Sequence, residues 1–533
     1  MLRNLLVLLL LLLPVQPAAA SYAAAPPGFL RVQGRHIVDS TGRRVSLRGV
    51  NMDTFYYALP WNPNAAWEYA DQQDIAYLAD LGVTSIRLAV HWRYFETTLG
   101  YDLIDAYLDW CEQAGIYVVL DMHVVPPAED LVNPAIWTDP AVQQQMLDLW
   151  AEIAARYADR TILAGYDLFN EPGPPDAAQW WSLAQRLTAA IRAVDANHML
   201  FVELPTTTGA AFQRIGDANV VYSYHDYTPF VVSHAGAEWV GDSPIPDNYS
   251  YPGSVLNGTT WANYAADAPS YSQPFSDWTQ VDSGDLQVPA AVEFATLKPA
   301  TSGAAHDVWF DDFALWRNGV VQPLVNADAE TASGADPAWP ANWYFWSSSD
   351  GRGGAWSTIA AHSGTRSLQL RGSDDGFAIW GQSAWIFTAP LVAVQPGDTL
   401  RVQGWLLAPD NRGAVSLGVD YLNGVYEDYD ATRLLADVQP YLDWAAAEGV
   451  PLYVGEFGAM GRAPGDSRPN LVRDKIALMN RADVHWALWT YRDLGDMSFG
   501  LVHDEALDET LAEVLRQGMR WQRIYLPLIL ARR

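Results

Sequence analysis

Two glutamates in similar settings are the residues of this sequence best suited to carry out a reaction. Glu171 closes the run that starts at Asp167, and Glu456 closes the apolar run that starts at Pro451. Each run is typical of a strand buried on both faces, and barrels of such strands carry their reacting groups at the strands' carboxyl ends. Either glutamate alone could simply end a strand. Together they predict a site in which two acidic side chains face one cleft.

Further polar and aromatic residues stand at the carboxyl ends of other predicted strands. A lone histidine or tryptophan on an apolar strand is more often a core residue, and an arginine there can serve only a salt bridge. The shared strand-end position is what favours a common cleft for them. These supporting candidates are Arg87, His123, Asn170, His225, Tyr227 and Trp489.

Strand-like and helix-like segments alternate along most of the chain, and this alternation predicts how the candidates are positioned. Eight apolar runs end at Asn51 or cover residues 83–90, 116–122, 163–169, 199–204, 220–224, 452–455 and 486–489. Amphipathic helices are predicted at 70–81, 103–114, 141–157, 177–194, 434–448 and 471–481. Strands that alternate with helices predict a parallel sheet, and eight such units predict an α/β fold, the closed (β/α)8 TIM barrel.

One connection breaks this alternation. Roughly 200 residues separate the sixth strand from the next helix, far more than a plain loop holds. Short alternating runs replace the helical pattern there, separated by Gly, Pro, Asp and Ser, which predicts an inserted antiparallel sandwich at 255–428. The barrel then covers 29–254 and 429–520. Asn-Gly pairs at Asn318 and Asn423 predict tight turns.

Composition excludes some partners. Acidic residues number 62 against 32 basic ones, so the net charge is -30, which disfavours nucleic acid and anionic membranes and is compatible with a neutral polymer. The 24 Trp and 26 Tyr are suited to stacking on sugar rings, although many will be core residues. A monomer is expected.

Both ends of the chain carry short apolar segments. A positive start, a leucine run and an Ala-rich stretch predict a secretory signal and leader at 1–25, too short to span a bilayer. The tail at 521–533 either docks on the barrel or retains the protein at a surface. Cys111 is the only cysteine, so the chain has no internal disulfide, and its helical setting favours a buried residue over a nucleophile.

The strand-end set resembles glycoside hydrolase family 5, a family of cellulases, mannanases and related enzymes on a (β/α)8 barrel. The resemblance covers residues 29–252 and 431–517. It rests on Leu47-Arg48-Gly49-Val50-Asn51, Ile86-Arg87, Leu120-Asp121-Met122-His123, Asn170-Glu171-Pro172, His225-Asp226-Tyr227 and Gly455-Glu456-Phe457-Gly458. After His123 the chain departs from many relatives by reading Val-Val-Pro-Pro, which leaves the polymer open.

The resemblance implies a role for each candidate. Glu171 would be the acid/base and Glu456 the nucleophile of a retaining enzyme, whose two carboxyl groups lie about 5–5.5 Å apart. Asn170 would bind the sugar 2-hydroxyl, and Arg87 and Tyr227 would donate to Glu456. His123 and His225 would line the cleft, with Trp489 beneath the sugar.

In the insert, residues 278–312 resemble the closing half of a jelly-roll carbohydrate-binding module, and residues 326–405 resemble its opening half. Because the halves come in reversed order, a circular permutation is expected. Trp343, Trp346, Trp356 and Trp380 are the insert's candidate sugar-stacking residues, with the sandwich core as an equally good place for each. No cofactor or catalytic metal is expected. Structural calcium could bind acids such as Asp311 or Asp328, although solvated carboxylates are the simpler interpretation.

Taken together, these expectations describe a secreted, cofactor-independent, retaining enzyme that cleaves inside a polysaccharide. A β-1,4-glucan is the leading substrate, followed by mannan or another β-glucan. The alternative from another class is a glycan-binding protein whose barrel has lost activity. Transglycosylation would use the same residues.

Overall fold

A computed structural model of the chain describes residues 28–54, 67–128, 135–205, 212–262, 268–304, 306–333, 336–372, 375–382, 391–493, 498–503 and 506–520. The predicted signal and leader at 1–25 and the apolar tail at 521–533 lie outside these ranges. Within them, no helix has both the length and the apolar character that a membrane crossing requires. The chain divides into two compact units, residues 1–223 and 224–533.

The first unit opens with a small antiparallel sheet and continues with alternating strands and helices. The small sheet contains β1 (Arg31–Gln33), β2 (His36–Val38) and β3 (Arg44–Val45). The following strands are β4 (Arg48–Asp53), β5 (Ser85–His91), β6 (Tyr117–Val124), β7 (Leu163–Asp167), β8 (Met199–Glu203) and β9 (Val220–His225), whose last two residues belong to the second unit.

Its helices lie between these strands, and four of the α-helices begin after an Asp or Thr whose side chain caps the helix. The helices are α1 (Gln72–Leu81), α2 (Thr98–Ala114), α3 (Ala135–Thr138), α4 (Pro140–Tyr157) and α5 (Ala177–Arg192), with a 3₁₀ helix at Trp92–Glu96. At the start of α1, the Asp71 side chain accepts hydrogen bonds from the backbone of Gln73 and Asp74. The helix ends at Gly82, whose left-handed backbone (φ 92°) suits glycine.

The second unit contains a β-rich insert followed by further alternating elements. It opens with α6 (Phe230–Ser233). The insert holds β10 (Gly253–Trp261), β11 (Ser270–Tyr271), β12 (Phe275–Asp282), β13 (Leu286–Gln287), β14 (Phe294–Gly303), β15 (Val308–Arg317), β16 (Val320–Gln322), β17 (Trp343–Ser347), β18 (Arg352–Ser357), β19 (Ser367–Gly372), β20 (Ala378–Gln382), β21 (Val392–Ala393), β22 (Thr399–Ala408) and β23 (Gly413–Tyr429). After it come α7 (Ala431–Glu448), β24 (Leu452–Phe457), α8 (Ser467–Ala482), β25 (His485–Leu488), β26 (Arg492–Asp493), β27 (Val502–His503), β28 (Ala506–Leu507) and α9 (Glu509–Arg520).

Eight of these strands close into a barrel in the order β24-β25-β4-β5-β6-β7-β8-β9. Neighbours run parallel, as where Arg87 on β5 pairs with Val119 on β6. Every residue of β4, β5, β6 and β24 is buried, which explains why apolar residues predominate in β5, β6 and β24. The prediction of a closed (β/α)8 barrel is confirmed.

The insert is an antiparallel sandwich, as predicted. One seven-stranded sheet has the order β10-β23-β14-β20-β17, and the other has the order β12-β22-β15-β19-β18, each with two short strands beside this path. Both sheets contribute to one apolar core, for example through Leu297 and Phe310. The ends of the insert pair directly, Gly253 with Tyr429, so the two crossings into the barrel lie side by side. The circular permutation stays a prediction.

Some details of the insert differ from the expectations. Asn318 does form the tight turn between β15 and β16, with φ values of 52° at Asn318 and 78° at Gly319. The turn predicted at Asn423 is wrong, because Asn423 lies inside the 17-residue strand β23 and pairs with Thr260. Hydrogen bonding along both edges of that strand outweighs the local turn preference.

The candidate tryptophans of the insert separate into two groups. Trp343 and Trp380 are buried members of the sandwich core, which accounts for them without a ligand. Trp356 packs against that core and donates its indole N–H to the carbonyl of Ala329. Trp346 is half exposed. Only Trp346, among these four, presents a wide ring surface to solvent.

Candidate active site

Arg87 organises the part of the predicted site that lies in the first unit. Its guanidinium is fully buried on β5, with Nε donating to Asp167 Oδ2 at 2.8 Å. Its other nitrogens donate to Asn51 Oδ1 at 3.1 Å and to Asn170 Oδ1 at 3.0 Å, and Nη2 also pairs with Asp121 at 3.0 Å. A planar group with five fixed donors can hold several strand ends in register in this way.

His123 lies beside this arginine network at the end of β6. Its side chain is buried, and its Nδ1 lies 2.6 Å from Asp121 Oδ2. Asp121 thus contacts both Arg87 and His123. This shared carboxylate fixes the orientation of the imidazole ring, because a histidine nitrogen this close to a carboxylate carries the proton.

Glu171 lies four residues beyond the end of β7 and has an unusual backbone conformation. Its φ of 45° lies in the left-handed region, which costs a non-glycine residue about 1–2 kcal/mol, and Pro172 follows it. Its backbone N–H donates to Glu203 Oε2 at 2.8 Å, and Glu203 is fully buried at the end of β8. The indole of Trp180 binds the Glu203 carbonyl at 2.7 Å. The turn therefore presents an exposed Glu171 side chain from a fixed backbone.

In the second unit, two predicted residues, His225 and Tyr227, lie beside Glu456. Tyr227 Oη donates to Glu456 Oε2 at 2.9 Å, and His225 Nδ1 lies 3.6 Å from the same oxygen. The backbone N–H of Asp226 donates to the Glu456 carbonyl at 2.9 Å. Glu456 itself is buried near the end of β24. The geometry therefore leaves this carboxylate with a fixed orientation and a donor on one oxygen.

A lysine from α8 secures the segment that carries Tyr227. Lys475 is buried, and its Nζ contacts Asp226 Oδ2 at 2.6 Å and the Asp226 carbonyl at 2.8 Å. Burial lowers the pKa of Lys475, and the neighbouring Asp226 opposes that shift. The Asp226 carboxylate also accepts the backbone N–H of Thr228 at 3.1 Å. The ion pair thus joins helix α8 to the strand end that holds His225 and Tyr227.

Trp489 follows β25 directly. Its backbone N–H donates to the carbonyl of Phe457 at 2.9 Å, and its side chain is partly exposed. Gly458 permits this approach, since a Cβ at that position would lie 2.5 Å from the Trp489 carbonyl oxygen. The backbone of Trp489 is therefore fixed one residue beyond the end of β25. It lies beside Phe457 and Gly458, the two residues that follow Glu456 in the sequence.

The two insert acids considered for calcium have different surroundings. Asp311 is buried, and its carboxylate accepts backbone N–H groups from His362 at 2.7 Å and from Asp312 at 2.8 Å. Burial raises the pKa of Asp311 to about 6. Asp328 is exposed. These contacts give Asp311 a structural role, in which it holds the loop at residues 362–363. Calcium binding in the insert stays a prediction.

Several residues of these networks were not assigned a role from the sequence, and Glu203 and Lys475 are two of them. Glu203 ends β8 as Glu456 nearly ends β24, so its strand-end position is a signal that could have found it. Lys475 lies four residues after Leu471 and four before Met479, on the buried face of α8. Lysine is rarely buried, and this chain has only two lysines, so a lysine on the apolar face of a predicted helix could have been recognised as a functional or structural candidate.

Comparisons with known proteins find similar sequences. Residues 38–267 match the family model described as cellulase, glycosyl hydrolase family 5. A β-xylosidase of Phanerodontia chrysosporium is 31% identical over 250 residues, 38% of this chain and 52% of the relative. Endoglucanase C of Acetivibrio thermocellus is 29% identical over 208 residues, 35% of this chain and 58% of the relative.

A solved structure, Thermotoga maritima Cel5A in complex with mannotriose, aligns with a TM-score of 0.45 at 14% identity, covering 88% of this chain and 96% of that one. The aligned region of this chain spans only about half the length of the two sequence relatives. Residues 38–267 of this chain are thus similar to the cellulase family, glycosyl hydrolase family 5.

Proposed function

We propose that this protein is a retaining endo-β-glycosidase that hydrolyses β-1,4-linked polysaccharide, with cellulose or another β-1,4-glucan as substrate. The observation that carries the proposal is the closed parallel barrel with Glu171 just after β7 and Glu456 near the end of β24. In such a barrel the carboxyl ends of all strands lie on one face, where active sites are built. Export, through the segment at 1–25, is part of the same proposal.

The reaction proceeds in two displacements. Glu171 donates its proton to the glycosidic oxygen as that bond breaks, while a Glu456 oxygen bonds to the anomeric carbon and forms a glycosyl ester. Glu171, now a carboxylate, removes a proton from water, which attacks the same carbon and releases Glu456. Two inversions leave the anomeric configuration unchanged. This sequence requires the two carboxyl groups to lie about 5–5.5 Å apart.

The supporting residues have roles that fit their contacts. Tyr227 donates to Glu456 and holds one of its oxygens in a fixed position. Arg87 occupies Asn170 Oδ1, so a sugar 2-hydroxyl would meet the amide N–H₂ group of Asn170. His123 and His225 would bind sugar hydroxyls, and Trp489 would stack on the sugar ring. Arg87 is held by Asp167, Asn51 and Asn170, and donation from its guanidinium to Glu456 is part of the proposal.

The substrate within this class is the open part of the proposal. The two relatives bear different names, a β-xylosidase and an endoglucanase, so neither name transfers directly. Mannan and other β-glucans are the alternative substrates. A glycan-binding protein without activity is the alternative class, and it is less favoured because Glu171, Glu456 and their supporting residues are all present.

Reducing-sugar release from cellulose, lichenan, mannan, xylan and xyloglucan tests the proposal. We expect release from at least one β-1,4-glucan by the wild-type chain. Glu456→Gln and Glu171→Gln should each abolish it, whereas Glu112→Gln, an exposed glutamate on α2, serves as a matched control that retains activity. Full activity of Glu456→Gln would refute the nucleophile assignment. Inactivity of the wild-type chain on every polymer would favour the glycan-binding alternative.

A further inference from the structure

One face of the sandwich carries aromatic rings that point away from its core. Along β17, Trp343 and Phe345 pack on the core, so Tyr344 and Trp346 lie on the opposite face. Trp346 is 50% exposed, and its ring lies 6.2 Å from that of Phe377, which is 37% exposed. Phe377 is held there because its backbone N–H and C=O both bind Ser348.

A second aromatic pair continues this row toward the other edge of the sheet. Trp261 ends β10 and is 50% exposed, and its ring lies 6.3 Å from that of Tyr344. Three strands separate β10 from β17 in the sheet order, so the two rings can meet only because the sheet curves around this face. Gly381 makes room for Tyr344, since a Cβ there would lie 2.3 Å from the tyrosine ring.

Charged groups lie on the same face of the middle strands. Lys298 on β14 and Asp420 on β23 form an ion pair and are partly exposed, at 21% and 17%. Their neighbours Leu297 and Val419 belong to the core, so alternation puts the pair on the aromatic side. Asp420 is close enough to raise the pKa of Tyr344, in addition to the larger effect of burial. The face thus combines exposed rings with a hydrogen-bonding pair of no net charge.

We propose that Trp261, Tyr344, Trp346 and Phe377, here called the aromatic strip, form a binding site for a chain of neutral β-linked polysaccharide. Exposed apolar patches of this kind mark binding surfaces, and aromatic rings stack on the apolar faces of sugar rings. The paired Lys298 and Asp420 suit uncharged hydroxyl groups rather than an ion. The net charge of -30 also disfavours acidic polymers. This site is separate from the proposed hydrolysis and does not depend on it.

Polysaccharide-binding assays test the site. Every protein in them is the full-length chain carrying Glu456→Gln, which prevents hydrolysis of the polysaccharide during the assay. The probes are lichenan and galactomannan in affinity electrophoresis and cellulose in depletion assays. Trp346→Ala and Trp261→Ala should each weaken the Kd by up to about tenfold, the energy of one aromatic stacking contact. Trp346→Phe, which keeps a ring, should retain most of the affinity. Trp316→Ala, on the outward side of β15 in the other sheet, is the matched control and should bind like the parent.

Three outcomes overturn the proposal. The first is that Trp346→Ala and Trp261→Ala bind every polymer with unchanged Kd values. The second is that Trp316→Ala loses as much affinity as they do. Loss of self-association in sedimentation, with polymer binding unchanged, would identify the face as a contact between copies instead. Hydrolysis of a soluble aryl cellobioside by the same strip variants, made in the wild-type background, should stay unchanged. That assay separates failure of this site from failure of the proposed activity.

Discussion

The hydroxyl group of Tyr227 donates a hydrogen bond to the carboxylate of Glu456 over 2.9 Å, across 229 positions of sequence. The whole sandwich insert lies between these residues along the chain. The insert does not disturb the pairing because its first and last strands, β10 and β23, lie side by side at Gly253 and Tyr429. The barrel elements before and after the insert therefore meet as they would across a short loop.

The Tyr227–Glu456 bond gives the first prediction. Tyr227→Phe removes one oxygen and leaves the ring, which packs edge-on against Phe499. A hydrogen bond to a charged group contributes about 1.5–3 kcal/mol, so kcat should fall by roughly 10- to 100-fold. Steady-state kinetics on a soluble aryl glycoside measures this, with thermal unfolding as the control for folding. A kcat equal to that of the wild-type chain would mean that the bond has no part in the reaction.

Glu203 gives the second prediction, because it holds the backbone of Glu171. Glu203→Ala should slow substrates with poor leaving groups, which need the proton from Glu171, far more than activated aryl glycosides, which do not. We expect a selective loss of about tenfold or more, since the lost bond to a charged group is worth at least 1.4 kcal/mol. Glu203→Gln, which keeps an acceptor oxygen, should recover much of the rate. An equal loss on both kinds of substrate would indicate a purely structural role.

The buried Lys475–Asp226 pair gives the third prediction. Lys475→Met leaves a carboxylate without its cation, and breaking such a pair costs about 3–5 kcal/mol of folding free energy. Asp226→Asn combined with Lys475→Met should recover part of that loss. Lys298→Met is the matched control, because the Lys298 side chain is 21% exposed whereas that of Lys475 is 2% exposed, and exposed ion pairs contribute about 1 kcal/mol or less.

Urea unfolding of these variants supplies the measurement. If Lys475→Met and Lys298→Met lower the free energy of unfolding by similar amounts, the Lys475–Asp226 pair contributes no more to stability than an exposed ion pair. A double variant less stable than either single one would contradict the assignment of a coupled pair.

Asp195 gives a pH-dependent prediction. Burial raises the pKa of this carboxyl group, but hydrogen bonds from His198 and the backbone of Asn197 outweigh burial and lower it to about 2. A carboxyl group with a lowered pKa stabilises the fold above its unfolded pKa, so this contribution is present at pH 5 and is lost as the pH falls from about 4 to 2. The free energy of unfolding should drop by about 2 kcal/mol more in the wild-type chain than in Asp195→Asn over that interval. If the free energy of unfolding falls equally in the wild-type chain and in Asp195→Asn between pH 4 and pH 2, this prediction is contradicted.

The barrel could be predicted from the sequence because strands buried on both faces appear as apolar runs. Observed bounds such as Ser85–His91 and Leu452–Phe457 lie within about two residues of the predicted ones. Helix α9 was not predicted, although Leu511, Val514 and Leu515 have helical spacing on its buried face. That signal was present in the sequence.

The site was less predictable than the fold. Strand-end position was enough to choose Arg87, Tyr227 and their neighbours as candidates, but it does not say which groups they contact. The partner of Asp226 depends on how α8 packs over a strand end, and the partner of the Glu171 backbone depends on how two strand ends lie beside each other. Local spacing in the sequence carries no record of either arrangement. In the sandwich, residue type alone could not separate Trp380 in the core from Trp346 on the surface. Alternation along β17 and β20 decides it.

Trapping of a covalent intermediate tests the central claim most directly. A 2-deoxy-2-fluoro cellobioside with an activated leaving group should add the mass of one fluorinated cellobiosyl unit to the wild-type chain, and peptide mapping should place that unit on Glu456. Glu456→Gln should remain unlabelled, while Glu112→Gln should label like the wild-type chain. A label on another residue, or unlabelled protein that releases product of inverted configuration, would contradict the account.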